Sequence, residues 1–247
     1  MKRLNILILT LILSLNFFFP TTTIEATENK TFNIVNFEEE LKLNPLPYES
    51  DSLEPYIDTD TLNIHHENIE QEYIDKLNLI IENTPKLKEK SLYKILSKPK
   101  ILPKKLRETF LDAGGAVYNH EFFWNSIISD AMKTPSSNIG DAINKQYGSF
   151  DNFKSEFEKV ALNLLTPGWI WLISDNHGNL SIITTPNNTT PIYLKKYPII
   201  CLDLWEHAYY LKYQDRKIEY IKSFWNITNW EFAENNYINA LKSNNLN

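Results

Sequence analysis

The stretch DLWEHAYY, Asp203 to Tyr210, sets a carboxylate and an imidazole four residues apart among one Trp and two Tyr. A polar group in such company must be paired if it is buried, because an unpaired buried charge or imidazole is costly. The chain has five histidines: His65, His66, His120, His177 and His207. His65, His120 and His207 share the apolar or aromatic surroundings of Asp203. His177 lies in the polar stretch DNHGN and reads as solvated, and His66 falls off the apolar helix face that carries His65. Two readings fit the remaining four groups. Each has its own hydrogen bonds in the core, or one metal ion takes all four. Three nitrogens and one carboxylate oxygen suit Fe, Mn or Zn, and a set without thiolate makes a structural Zn site the poorer fit.

Asp203 sits at the end of YPIICLDLW, one of three short apolar runs that also include GWIWLISD and NHGNLSIITTP. Their β-branched and aromatic content, split by Asn, Gly and Pro, reads as strands, the first two joined as a hairpin across DNHGN and the third at an edge or in the centre. Helical periodicity lies on both sides. In TDTLNIHHENIEQEYIDKLNLIIENT, Leu62, His65, Ile69, Tyr73 and Leu77 fall on one face at helical spacing, with Thr59 or Asp60 as the cap. A basic connector holding a short helix leads to LPKKLRETFLDAGGAVYNHEFFWNSIISDA, a second long helix with Pro103 near its start. Gly114 and Gly115 in its interior each cost about 1 kcal/mol against Ala, a cost usually met where another element passes close. Two long helices joined by a connector form an antiparallel hairpin. SSNIGDAINKQYG and SFDNFKSEFEKVALNLL read as two more helices, and the chain returns to helix after the strands. The fold class is α+β: an N-terminal helical hairpin, residues 44–132, then a mixed domain, 133–247.

The hydrophobic fraction of 43% supports a core, and all six Trp fall between Trp124 and Trp230, which places most of the packed interior there. The chain starts MKRLNILILTLILSLNFFFPTTTIEA: Lys2 and Arg3, an apolar run from Leu4 to Phe19, Pro20, and a small residue at Ala26. This is the layout of a secretory signal peptide over residues 1–26. The run is short of the ~20 residues of a spanning helix, so a retained anchor is the weaker reading. Cleavage there takes the net charge from −6 to −7, which argues against nucleic acid or an anionic membrane as partner. Cys201 is the only cysteine, so no internal disulfide staples the exported chain. Residues 27–43 read as a mobile leader, and NPLPYESDSLEPYID as an extended entry segment.

Four blocks, LNIHHENIEQEYIDKLN, AGGAVYNHEFFW, PGWIWL and DLWEHAYYLKYQDRKIEYIKSFWNITNWE, resemble the iron/manganese superoxide dismutases in content and order, over about residues 44–243. The resemblance implies a helical hairpin followed by a domain with a three-stranded antiparallel sheet flanked by helices. It implies one Mn or Fe ion per subunit, held by His65, His120, Asp203 and His207, and superoxide as the substrate. It puts Trp169 and Trp205 around the metal and Tyr73 at the substrate channel. It places Glu206 and Tyr210 at a homodimer interface, Glu206 bonding a ligand His207 across it. On its own residues Glu206 reads as a surface acid.

The chain departs from that pattern at several positions. The family's His four residues after the first ligand is Ile69 here, which neither passes a proton nor bonds Tyr210. The Gln that reaches the solvent on the metal is missing from both of its usual places: the helix position is Ala116 and the sheet-turn position is Asn188, one carbon shorter. TPGW, Thr166 to Trp169, replaces a Gly/Ser-rich stretch. The expectation is an exported dismutase in which Asn188 holds the solvent more weakly. A metal-binding surface or structural protein with weak turnover is the alternative, and an unrelated non-haem iron oxygenase fits less well because of the third His.

Overall fold

The first helix begins at Asp58, whose carboxylate accepts the backbone N–H of Thr61 at 2.9 Å and its hydroxyl at 2.6 Å. The cap is therefore Asp58, one residue ahead of the expected Thr59 or Asp60. A cap must sit in extended backbone, and Asp58 does so at ψ 151°. This computed structural model describes residues 37, 39–135 and 137–243. The predicted signal peptide, residues 1–26, lies outside the described residues. Among the described residues no helix is long and apolar enough to cross a membrane.

From the cap, α1 (Thr59–Asn63) runs into a π-helical segment (Ile64–Glu70) and then α2 (Gln71–Glu82). The π-turn corrects the predicted face. Its wider hydrogen bonding adds a residue to the turn, and the buried stripe becomes Leu62, His65, His66, Glu70, Ile74, Leu77 and Ile81. Ile69 and Tyr73 are pushed to its margin, half-buried, and His66, expected off the face, is buried.

After α3 (Leu92–Ser97), Pro103 leads into α4 (Lys104–Ser126), which packs along α2 as the second arm of a helical hairpin. Gly115 explains itself here: a Cβ at that position would collide with the carbonyl oxygen of Asn188. The predicted close approach is thus real, and it brings the turn after the second strand against α4.

α5 (Ser137–Tyr147) and α6 (Phe150–Leu162) precede the sheet, with Ser149 capping α6 through the Asn152 N–H. The sheet comprises β1 (Gly168–Ser174), β2 (Leu180–Pro186) and β3 (Tyr197–Asp203), antiparallel in the order β2-β1-β3. β1 is buried at every residue, as a central strand between helices must be, and β3 takes an edge. Asp175 closes the β1–β2 hairpin by accepting the backbone N–H groups of His177 and Asn179, both at 2.9 Å. His177 is exposed in that turn, as its polar neighbours indicated. α7 (Tyr210–Tyr213), α8 (Lys217–Phe224) and α9 (Trp230–Lys242) follow, with α9 and α4 packed against β3.

Two sequence readings near the start need correction. Phe37 and Leu41 are buried, and Leu41 exchanges two backbone hydrogen bonds of 2.9 Å with the Asn78 side chain. The end of the predicted mobile leader is therefore fixed to α2 by apolar burial and by those bonds. The entry segment is extended only at first; between Tyr48 and Ile57 it coils through turns that bury Leu53 and Ile57.

Candidate metal centre

Register places the carboxylate. Trp169 in β1 pairs with Asp203 in β3, so the last residue of β3 lies beside the start of the central strand. Asp203 is fully buried. Its Oδ1 accepts the backbone N–H of Trp205 at 2.8 Å, which turns Oδ2 toward the helices. Three imidazoles meet it there: His65 Nε2 from the π-segment at 3.1 Å, His207 Nε2 at 3.3 Å, and His120 Nε2 from α4 at 3.9 Å. One ligand atom from each of the four residues lies within 4.8 Å of the others. Sequence scarcity had picked out this set, and the fold brings all of it together.

The four groups fit a metal better than they fit one another. His65 Nε2 and His120 Nε2 are buried and make no well-directed hydrogen bond. The other ring nitrogen of His120, Nδ1, lies 2.8 Å from the Ala116 carbonyl, which places its proton there and leaves Nε2 with a free lone pair. Burial, then the neighbouring His207, lowers His65 to about 4; burial, then His65, lowers His120 to about 3. Both rings are neutral near pH 7, the form that ligates. Burial alone would raise the Asp203 carboxyl, but the adjacent imidazole of His207, then that of His65, outweigh it and hold Asp203 well below the usual carboxylate range. Two ring nitrogens, a third ring and a carboxylate oxygen converging on one point form a donor set that could hold a metal ion.

Aromatic rings close the site. Trp169 is edge-on to His120 at 5.1 Å and Trp205 stacks on His207 at 5.6 Å. Tyr73 lies 6.0 Å from His120, half-buried. Glu206 and Tyr210 are exposed beside His207, whose side chain is 22% exposed. Ile69 lies half-buried on the same segment as His65. Asn188 does not do what its alignment with the family's Gln suggested. It is buried, its amide nitrogen donates to Asp112 of α4 at 2.9 Å, and its backbone carbonyl lies against Gly115.

Sequence reasoning missed three residues. Trp124 lies edge-on to His65 at 4.8 Å and donates its N–H to Glu70 at 2.6 Å. Asn119, next to His120, is satisfied when its amide oxygen accepts from Trp169 Nε1 at 3.2 Å and its nitrogen donates to the Gly115 carbonyl at 3.3 Å. The signal for Asn119 and Trp124 was their place on α4 around His120; Glu70 looked like any helix-surface acid.

A three-stranded sheet and a helical hairpin that together place three His and one Asp around a single point define a class of metalloprotein. The chain belongs to the iron/manganese superoxide dismutases. Residues 40–128 match the family described as "Iron/manganese superoxide dismutases, alpha-hairpin domain", and residues 135–236 match its C-terminal domain. "Superoxide dismutase [Mn] 1" of Leptolyngbya boryana is 38% identical over 201 residues, 81% of each chain. "Superoxide dismutase [Mn]" of Buchnera aphidicola subsp. Acyrthosiphon pisum (strain APS) is 46% identical over 201 residues, 78% of this chain and 96% of that relative.

Proposed function

We propose that the protein is an exported, homodimeric superoxide dismutase that carries one manganese ion per subunit on His65, His120, Asp203 and His207. The observation that carries this reading is the convergence of those four groups within 4.8 Å, two of the nitrogens buried without a hydrogen bond. Manganese is preferred to iron because both relatives named above are manganese enzymes by name. The chemistry that a redox-active ion supplies in this setting is one-electron exchange: one superoxide is oxidised to dioxygen, and a second, with two protons, is reduced to hydrogen peroxide.

The residues of the chain account for the rest. Trp169, Trp205 and Trp124 line the ligand rings and exclude bulk water, which strengthens the field of the site on an anionic substrate. Tyr73, half-buried with its ring 6.0 Å from that of His120, is the residue of this reading that passes a proton inward from the channel. Ile69 has no proton to pass. Glu206 and Tyr210, exposed beside the part-exposed His207, suit a second copy of the chain that would cover this ligand. Lys2, Arg3, the apolar run and Ala26 support export with cleavage near Ala26.

The commitment of the Asn188 amide to Asp112 favours a second reading, a protein of the same fold that binds metal but turns over slowly. One experiment separates the two. The protein is purified from its native cell, its N-terminus sequenced, its metal content measured, and its removal of superoxide assayed after loading with Mn and with Fe. Manganese content near one per subunit with rapid superoxide removal is the expected result. Full metal with little activity selects the second reading, and absence of metal refutes both.

A further inference from the structure

Glu70 is a fully buried carboxyl that the reaction does not use. It lies five residues after His65 in the π-segment, and its Oε2 accepts the Trp124 indole N–H at 2.6 Å. The indole packs edge-on to His65, at 4.8 Å and 72°, and tilted against His120, at 6.3 Å and 36°. One hydrogen bond therefore sets the tilt of a ring that touches two of the four ligands. We infer that Glu70 is a positioning residue of the metal centre, acting through Trp124 on the ring of His65. The inference rests on the proposed metal site.

The surroundings of Glu70 show that it is built for this bond. Burial pushes its carboxyl well up, the nearby Glu121 carboxyl adds to that, and the Trp124 N–H opposes both only in part. The geometry leaves Oε2 of Glu70 as the acceptor of the Trp124 N–H. Among the described residues its other oxygen, Oε1, has no hydrogen-bond partner, and neither does the buried hydroxyl of Tyr48, which feels the Glu70 carboxyl. A buried acid with one orphaned oxygen destabilises the fold relative to an apolar side chain. The bond to Trp124 is the interaction that offsets this cost. Around it, Asn44 donates to Glu121 at 2.7 Å and its carbonyl meets His66 Nε2 at 2.8 Å, so the outer face of the π-segment is tied to α4 and to the entry segment at once.

The test uses the manganese-loaded protein. Wild type, Glu70→Leu, Glu70→Gln, Trp124→Phe and the Glu70→Leu/Trp124→Phe double variant are compared for the rate of manganese release to a chelator and for the visible absorption of the loaded site. Loss of a group that orients a ligand typically weakens metal binding about 10- to 100-fold. Glu70→Leu and Trp124→Phe should each release metal at least about tenfold faster with a shifted spectrum, and the double variant should be no worse than either single, because both remove the same contact. Glu70→Gln keeps an oxygen that accepts from Trp124 and should behave as wild type. The inference is overturned if Glu70→Leu releases metal and absorbs as wild type does, if Gln fails as badly as Leu, or if the losses in the double variant add. Should Glu70→Leu not fold, Trp124→Phe decides, and wild-type behaviour in it overturns the inference. Wild-type protein that holds no metal would refute the proposed function itself, a different outcome from variants that match the wild type.

Discussion

Asn188 donates its side-chain N–H to Asp112 at 2.9 Å, and Asp112 lies eight residues, about 12 Å of helix, before the ligand His120. The amide thus ties the turn after β2 to α4 instead of entering the metal pocket. Asn188→Ala is expected to cost roughly 1–2 kcal/mol of stability while leaving metal content unchanged. Denaturant melts alongside metal analysis check this. Loss of metal with unchanged stability would return Asn188 to the metal site.

Gly115 faces the other half of the same contact. Gly115→Ala forces a Cβ into the Asn188 carbonyl, a backbone atom that cannot rotate away. Overpacking of this kind costs roughly 1–3 kcal/mol, and the strain falls on the helix that carries His120. A lowered melting temperature with reduced metal occupancy is expected. Gly114→Ala, which meets side-chain atoms alone, the flexible Leu92 Cδ1 at 2.9 Å and the Phe110 ring at 3.2 Å, is expected to be milder.

Acid should destabilise the metal-free protein. His65 is lowered to about 4 and His120 to about 3, whereas both titrate near 6.5 when unfolded. Below pH 6.5 the unfolded chain binds protons that the folded rings refuse, so stability falls by about 1.4 kcal/mol per pH unit for each ring. The loss ends near pH 4 for His65 and near pH 3 for His120. Asp203, depressed in the fold, adds a loss of the same sign as pH drops through the carboxylate range. Glu70, raised, works the other way: its contribution is complete in acid and is lost as pH rises. Melts of the metal-free protein at pH 7.5, 6 and 5 should show the decline, and a flat profile would contradict the neutral, buried state of the two rings.

The proposed dimer has a definite address. Ile64, Tyr210 and Leu211 are 47%, 53% and 53% exposed, and with Thr61, Glu206 and His207 they line a hollow of about 310 Å³. Light scattering is expected to give twice the mature mass, and Leu211→Asp to shift the protein toward monomer with a more labile His207. A wild-type monomer with full metal at every concentration would defeat this.

How legible was the site? The ligands could be read because they are scarce: of five His, two had polar or off-face surroundings, leaving three that fold onto Asp203. The sheet could be read because β1 is apolar at nearly every position and Asp and Gly mark its hairpin. The face of the ligand helix could not. A 3.6-residue period predicts Ile69 and Tyr73 on the buried stripe, and nothing in the side chains announces a π-turn, so the stripe moved to His66, Glu70 and Ile74. For the same reason Glu70 went unseen, since its burial depends on that turn. The Asn188 amide was misplaced because alignment gives a position along the chain and says nothing of where a rotatable amide points.

The π-segment makes the metal pocket sensitive to chain length as well as to chemistry. Ile64–Glu70 bonds in the wider i→i+5 pattern. Deleting a single residue there would restore ordinary helical bonding with α2 still facing the core, because the π-turn holds one residue more than a regular turn. Deleting Gln71 or Glu72 just beyond it would instead rotate the rest of α2 by about 100° relative to His65. Tyr73 would then swing away from His120, and Ile74, Leu77 and Ile81 would leave the core, although no ligand had been touched. In this helix a change of chain length is therefore a change to the metal centre unless the π-turn absorbs it.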